Sequence, residues 1–130
     1  MKALKVFALF IALHAAAWSG THVYLSQHQP TVVVVVDTSY ALKSQFAAME
    51  TWIDHLQANS RYQHIVIGTD KALLGDLDSI PTKTTIFRTA FGRMSADNLN
   101  RYAQMPASEK ILLSDGSIRP DGWKVVTFTP

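Results

Sequence analysis

Five consecutive valines, Val32 to Val36, constrain the fold more than any other feature of this chain. Valine favours strands, and a run without polar alternation is typical of a strand that is buried on both faces, as in a parallel sheet. The run continues directly into Asp37, Thr38 and Ser39. Because open α/β sheets bind ligands beyond the carboxyl ends of their strands, this polar turn is a candidate site.

The rest of the chain alternates between helical and strand patterns, which predicts the α/β class. We expect a three-layer, open, mainly parallel sheet of about five strands with helices on both faces, of the Rossmann-like kind. The predicted helices cover 40–58, a short segment within 72–77 and the residues after Ser95; the predicted further strands cover 62–68, 84–89, 110–114 and 123–128. Only about eight residues, 115–122, separate the last two strands. Since a parallel crossover normally needs a dozen or more residues, we expect the last strand to run antiparallel to its neighbour or to be displaced by an irregular crossing.

In the N-terminal residues 1–25, Lys2 and Lys5 precede an apolar stretch, Val6 to Leu13, and no acidic residue precedes Asp37. Residues 4–25 match the roughly 20 residues that span a bilayer, which favours a retained membrane anchor. A cleavable secretory signal ending near Ala15–Ala17 is the alternative, and the protein would then be secreted. Either interpretation places the following domain outside the cytoplasm, in the periplasm or the extracellular space.

The predicted organisation is an anchor or signal at 1–25, a linker at 26–30 and one domain at 31–130. The formal charge of +2, with no cluster of lysine or arginine, argues against nucleic acid as a partner. The absence of cysteine excludes disulfides, thiolate metal sites and cysteine nucleophiles. No G-x-S-x-G elbow and no phosphate-binding glycine loop is present, so the sequence identifies no small-molecule substrate and argues against an enzyme.

Two apolar strand patterns end in an aspartate, Asp37 after the valines and Asp115 after Lys110–Ser114. If these strands are neighbours, both carboxylates emerge at one edge of the sheet, with the hydroxyl of Ser39 close by. Carboxylate and hydroxyl oxygens suit Mg²⁺ or Mn²⁺. The alternative interpretation is structural: Asp37 caps the following helix, and Asp115 with Gly116 forms an ordinary turn.

The segments VVVVVDTSYA and KILLSDG resemble the von Willebrand factor A-type domain over about Thr31 to Phe128. The metal-ion-dependent adhesion site of that family combines a D-x-S-x-S motif, a threonine from a middle loop and a later aspartate. The resemblance implies that Asp37, Ser39, Asp115 and Thr89 bind a metal ion. Ala41 stands where the motif has its second serine.

By this resemblance we expect a membrane-tethered, extracytoplasmic module that binds a protein partner without turnover, assisted by Mg²⁺ or Mn²⁺. Such a module would serve as an accessory or assembly factor in an envelope complex. Two alternatives stay open: a hydrolase or phosphoryl-transfer enzyme that uses the carboxylates of Asp37 and Asp115, and a structural remnant of the family that binds no metal.

Overall fold

The structure is a computed structural model that describes residues 1–88 and 91–130. It contains three α-helices and five strands within these residues. In chain order they are α1 (Lys2–Gln27), β1 (Thr31–Val36), α2 (Phe46–Ala58), β2 (His64–Thr69), β3 (Leu73–Asp76), α3 (Ala96–Ala103), β4 (Glu109–Ser114) and β5 (Lys124–Thr127). Short 3₁₀ helices cover Tyr40–Gln45, Leu77–Ser79 and Lys83–Phe87.

The strands form one mixed sheet in the order β3-β2-β1-β4-β5. The pairs β1–β2, β1–β4 and β4–β5 are parallel, and only β2–β3 is antiparallel. The valine strand lies at the centre, with β4 as its direct neighbour. The predicted α/β class, the number of about five strands and the adjacency of the first and fourth strand patterns are therefore confirmed.

The valine side chains are buried in two separate clusters, as expected for a strand that is covered on both faces. Val32, Val34 and Val36 pack in one cluster together with Met49 and Ile53 of α2. The intervening valines pack in the other cluster, which contains Leu99 and Tyr102 of α3. The run of β-branched side chains thus supplies both halves of the core.

The two helices of the domain form where the sequence pattern indicates them. Met49 and Ile53 are buried on α2, in agreement with the predicted apolar stripe, although the segment before Phe46 is a 3₁₀ helix. The hydroxyl of Ser95 accepts a hydrogen bond from the Asn98 backbone N–H at 3.2 Å. Ser95 therefore caps α3 as its sequence position predicts.

Two predicted elements are wrong. The segment within 72–77 is expected to be helical, but Leu73–Asp76 is strand β3, and Gly75 has a φ of +109° that no α-helix accommodates. The strand expected at 84–89 is instead the 3₁₀ helix Lys83–Phe87, with residues 89 and 90 outside the described residues. The hydroxyl of Thr82 lies 3.0 and 3.2 Å from the hydroxyls of Thr84 and Thr85, and such local side-chain bonds compete with strand pairing.

The expected antiparallel orientation of the last strand is also wrong, because β5 is parallel to β4. The connection between them contains no helix, and Gly116 and Gly122 turn it with φ values of +85° and +79°. Its nine residues, 115–123, reach up to about 30 Å when extended, which exceeds the roughly 13 Å length of the four-residue strand β5. The irregular connection is long enough to bring the chain back to the start of a parallel strand, because the strands that it joins are short.

Helix α1 is long and apolar enough to span a membrane or to serve as a signal sequence. None of its residues is buried, and its large apolar side chains from Leu4 to Tyr24 are exposed. It meets the domain through His22, whose Nδ1 lies 2.7 Å from the hydroxyl of Tyr62. The predicted apolar N-terminal helix is thus confirmed, and it extends to Gln27.

Candidate functional site

Three aspartates follow the carboxyl ends of three adjacent parallel strands. Asp37 follows β1, Asp70 follows β2 and Asp115 follows β4. The register pairs Val36 with Thr69 of β2 and with Leu113 of β4, so these strands end at nearly the same level. We call this part of the molecule the acidic edge.

Asp37 is only 4% exposed, and both of its carboxylate oxygens accept hydrogen bonds. Oδ1 accepts from the backbone N–H of Ser39 at 3.0 Å, and Oδ2 accepts from the hydroxyl of Ser114 at 2.7 Å. The second bond links the end of β1 to the end of β4. Because each of its two oxygens accepts a hydrogen bond, the Asp37 carboxylate is held in a fixed orientation.

Asp115 lies beside Asp37 but is more exposed. Its Oδ1 accepts bonds from the hydroxyl and the backbone N–H of Ser117 at 2.6 and 2.9 Å, and it lies 3.4 Å from the Ser114 hydroxyl. The bonds from Ser117, the side-chain bond first, lower the pKa of Asp115 below its ordinary value. One hydroxyl, that of Ser114, therefore lies within hydrogen-bonding distance of both carboxylates.

Asp70 is a third carboxylate of the acidic edge, which the sequence pattern does not single out. It is 3% exposed, and its Oδ1 accepts from the hydroxyl of Thr38 at 2.5 Å. Its Oδ2 has no hydrogen-bond partner in the described part of the chain. This oxygen lies against Gly92, where an added Cβ would stand 1.8 Å away. The signal in the sequence is a weak one: Asp70 comes three residues after the apolar run Ile65–Ile67, whereas Asp37 directly follows the valines.

The carboxylates of the acidic edge form no ion pair with a lysine, arginine or histidine side chain among residues 1–88 and 91–130. The ion pairs in this part of the chain join His64 to Asp76 at 2.8 Å and Lys83 to Asp54 at 2.6 Å, and neither involves Asp37, Asp70 or Asp115. Burial of unpaired carboxylates is unfavourable. The edge is therefore a place where binding of a cation, or of a positively charged group, is electrostatically favoured.

Two exposed aromatic side chains lie next to the acidic edge. Tyr40 and Phe91 are 70% and 46% exposed, and their rings pack edge to face with centroids 5.0 Å apart. A β-bridge between Ser39 and Gly92 joins the two segments. Tyr40 and Phe91 are the sequence neighbours of these two residues, so both rings lie beside the edge. Lys43 Nζ lies 5.9 Å from the centroid of Phe91. We call Tyr40 and Phe91 the aromatic pair.

The structure brings together three of the four residues that the family resemblance implies as metal ligands. Asp37, Ser39 and Asp115 lie at the acidic edge, and the Ser39 hydroxyl makes no hydrogen bond to any described residue. Thr89 lies outside the described residues. Ala41 is exposed in the 3₁₀ helix Tyr40–Gln45 and offers no side-chain oxygen.

The donor set of the acidic edge consists of oxygen atoms only, which fits Mg²⁺ or Mn²⁺ in chemistry. In the part of the chain that the structure describes, no three His, Cys, Asp or Glu side chains converge closely enough to hold a metal ion by themselves. A metal ion at this edge would therefore need hydroxyl and water ligands in addition to the carboxylates.

Comparison of the chain with family models, with curated proteins and with solved structures gave no match.

Proposed function

We propose that this protein is a membrane-tethered module that binds a protein partner at the acidic edge and the aromatic pair. Helix α1 anchors it in the cytoplasmic membrane as a single span, with Lys2 and Lys5 in the cytoplasm and the domain outside. The domain is a reduced von Willebrand A-type unit of three layers, and it acts without turnover, as an accessory or assembly factor in an envelope complex.

The observation that carries the proposal is the aromatic pair beside carboxylates that form no ion pair within the described part of the chain. Exposed aromatic residues are enriched at the centres of protein interfaces, where they supply much of the binding energy. Tyr40 is 70% exposed although its ring has a packing partner in Phe91. A partner that covers the pair would remove this apolar surface from water and approach the carboxylates at the same time.

The position of the acidic edge relative to α1 supports the same function. Strand β1 begins four residues after the last residue of α1 and runs for six residues, about 20 Å, to the edge. The edge therefore lies at the end of the sheet opposite to the anchor. A partner outside the membrane reaches it without having to contact the bilayer.

Asp37, Ser39 and Asp115 would hold the Mg²⁺ or Mn²⁺ ion, with water in the remaining coordination positions. The bound ion would compensate the carboxylates and attract an acidic group of the partner. Asp70 does not need to contact the ion to contribute, because its carboxylate adds negative charge at the same edge.

The first test is thermal unfolding of the full-length protein in detergent micelles, with and without millimolar Mg²⁺ or Mn²⁺. A ligand that binds only the folded state raises the apparent stability, by about 2.7 kcal/mol at one hundred times its dissociation constant. We expect the rise in wild type and in the control D121A, which removes an exposed carboxylate away from the edge. We expect no rise in D37A.

The second test is site-specific photo-crosslinking in cells, with the probe at Tyr40 and, as a control, at the exposed residue Asn100 of α3. A crosslinked protein at Tyr40 alone, lost in D37A, supports the proposed interface. If D37A instead abolishes turnover of a small substrate, the enzyme alternative is correct. If metal has no effect and D37A only lowers stability by about 0.5–2 kcal/mol, Asp37 is a structural cap and the domain is a metal-free remnant.

A further inference from the structure

A polar cleft lies where α1 joins the domain, at the opposite end of the sheet from the acidic edge. Its volume is about 250 Å³, room for about eight water molecules. Most of its lining side chains can donate hydrogen bonds: Gln29, Gln57, Ser60, Arg61 and Gln63. Of the charged side chains in the lining, Arg61 is the cation and Asp78 is the anion. We call it the junction cleft.

The junction cleft lies at the level of lipid headgroups if α1 spans the membrane. Gln29, in its lining, is four residues beyond Leu25, the end of the predicted span. Four residues cover about 6 Å as helix and about 14 Å when extended. The headgroup layer on each side of a bilayer is about 5–8 Å thick. The cleft therefore lies within this layer or immediately above it.

Contacts between α1 and the turn before β2 hold the cleft in this position. Tyr62 packs edge to face on His22 with centroids 5.6 Å apart, in addition to the hydrogen-bonding contact between them. The ring of Trp18 stacks on the ring of His22, with centroids 5.8 Å apart. Amphipathic rings of this kind collect at the membrane interface. Arg61, next to Tyr62 in sequence, is thus fixed close to the bilayer surface.

The two charged side chains of the cleft lack a partner of opposite charge among the described residues. The Arg61 guanidinium lies over the Tyr62 ring, 5.4 Å from its centroid, and forms no ion pair with a described carboxylate. Asp78 accepts a hydrogen bond from Gln57 Nε2 at 3.2 Å and likewise forms no ion pair within the described part of the chain. A guanidinium matches the geometry of a phosphate group, and a carboxylate suits an ammonium group.

We infer that the junction cleft binds the headgroup of phosphatidylethanolamine. Arg61 receives the phosphate, Asp78 receives the ammonium group, and the glutamine amides and the Ser60 hydroxyl donate further bonds to phosphate oxygens. This inference rests on the membrane-anchoring part of the proposed function, and it is independent of the acidic edge. A bound lipid would fix the orientation of the domain on the membrane, with the acidic edge facing away from it.

The experiment uses full-length protein in nanodiscs of equal parts phosphatidylethanolamine and phosphatidylglycerol, released into mild detergent and examined by native mass spectrometry. We expect wild type to retain one phosphatidylethanolamine in preference to phosphatidylglycerol. R61Q and D78N should each lower the lipid-bound to lipid-free ratio about tenfold, as expected for the loss of one charge-assisted hydrogen bond. The matched control is R93Q, which removes an exposed arginine outside the cleft and should retain lipid like wild type.

Flotation of vesicles after a carbonate wash separates the two ways in which the inference can fail. If the protein floats but R61Q retains lipid like R93Q, or if phosphatidylglycerol is retained equally well, the lipid site is refuted and the anchor stands. If the protein does not float, the anchor is refuted, and the lipid site with it. Circular dichroism shows whether R61Q and D78N are folded. If one variant is misfolded, its loss of lipid is disregarded, and the variant that folds tests the lipid site.

Discussion

Replacement of Gly68 by alanine tests the packing of α3 against the sheet. An added Cβ at Gly68 would lie 2.5 Å from Cε1 and 2.6 Å from the hydroxyl oxygen of Tyr102. Carbon atoms in contact are normally about 3.5–4.0 Å apart, so the ring must retreat by about 1 Å or more. Tyr102 is 1% exposed, and its hydroxyl donates to the carbonyl oxygen of Thr69 at 2.6 Å. The ring therefore cannot move without disturbing the core and this bond.

The expected cost of G68A is about 2 kcal/mol in the free energy of unfolding. Overpacking of a core costs about 1–3 kcal/mol, and a weakened hydrogen bond about 1 kcal/mol. The smaller conformational entropy of alanine in the unfolded chain offsets about 0.4–1 kcal/mol. With a urea slope of about 1–3 kcal/mol per molar, the midpoint of unfolding should fall by about 1 M.

The assay is urea unfolding of the full-length protein in detergent micelles, followed by tryptophan fluorescence. The control is the same substitution in a Y102L background, where the ring is absent and G68A should cost less than about 0.5 kcal/mol. A coupling energy of at least about 1.5 kcal/mol between the two positions then follows, within the range measured for residues in contact. If G68A costs as much in Y102L as in wild type, the contact with Tyr102 is not the cause, and the packing of α3 described above is wrong.

Three further predictions concern the acidic edge and the cap of α3. Hydrogen bonds from Ser117 lower the pKa of Asp115, so the stability that they contribute is fully present above the ordinary aspartate pKa of about 3.9 and is lost as the pH falls through the lowered folded value. S117A should therefore raise the pKa of Asp115 in an NMR titration. An unchanged pKa would contradict the assigned cause. G92A should lower the urea midpoint in wild type but much less in D70A, because the added Cβ meets the Asp70 carboxylate; equal losses in both backgrounds would show that this contact is absent. S95A should cost about 1 kcal/mol of stability through the lost cap of α3, whereas S95D should retain most of it; a loss equal to that of alanine in S95D would exclude capping as the reason.

Where the prediction rests on the periodicity of side chains or on capping, the structure agrees with the sequence. The valines of β1 can be buried only if both faces are covered, because all of them are apolar and successive side chains of a strand point to opposite faces. The stripe on α2 and the cap at Ser95 likewise depend on residues within one or two turns of helix. Asp37 and Asp115 lie near each other because both follow apolar strands of a largely parallel sheet.

Where local preference and tertiary contacts disagree, the tertiary contacts decide. The sequence TTIF favours a strand by its β-branched residues, yet it forms a 3₁₀ helix. Ile86 and Phe87 of this segment pack against the cluster that contains α2, and Lys83 pairs with Asp54 of that helix. The burial of these side chains outweighs a strand propensity that spans only about 1 kcal/mol.

The sequence by itself determined the buried central strand, the class of the fold, the apolar N-terminal helix and two of the three carboxylates of the acidic edge. Each of these follows from a pattern within a short segment. Only the tertiary structure decided the pairing of β3 and β5, the place of Asp70 beside Thr38 and Gly92, and the contact of Tyr62 with His22. The contacts of Asp70 and Tyr62 join residues that are far apart in the chain, and the energies of all these features arise from contacts that exist only once the chain has folded.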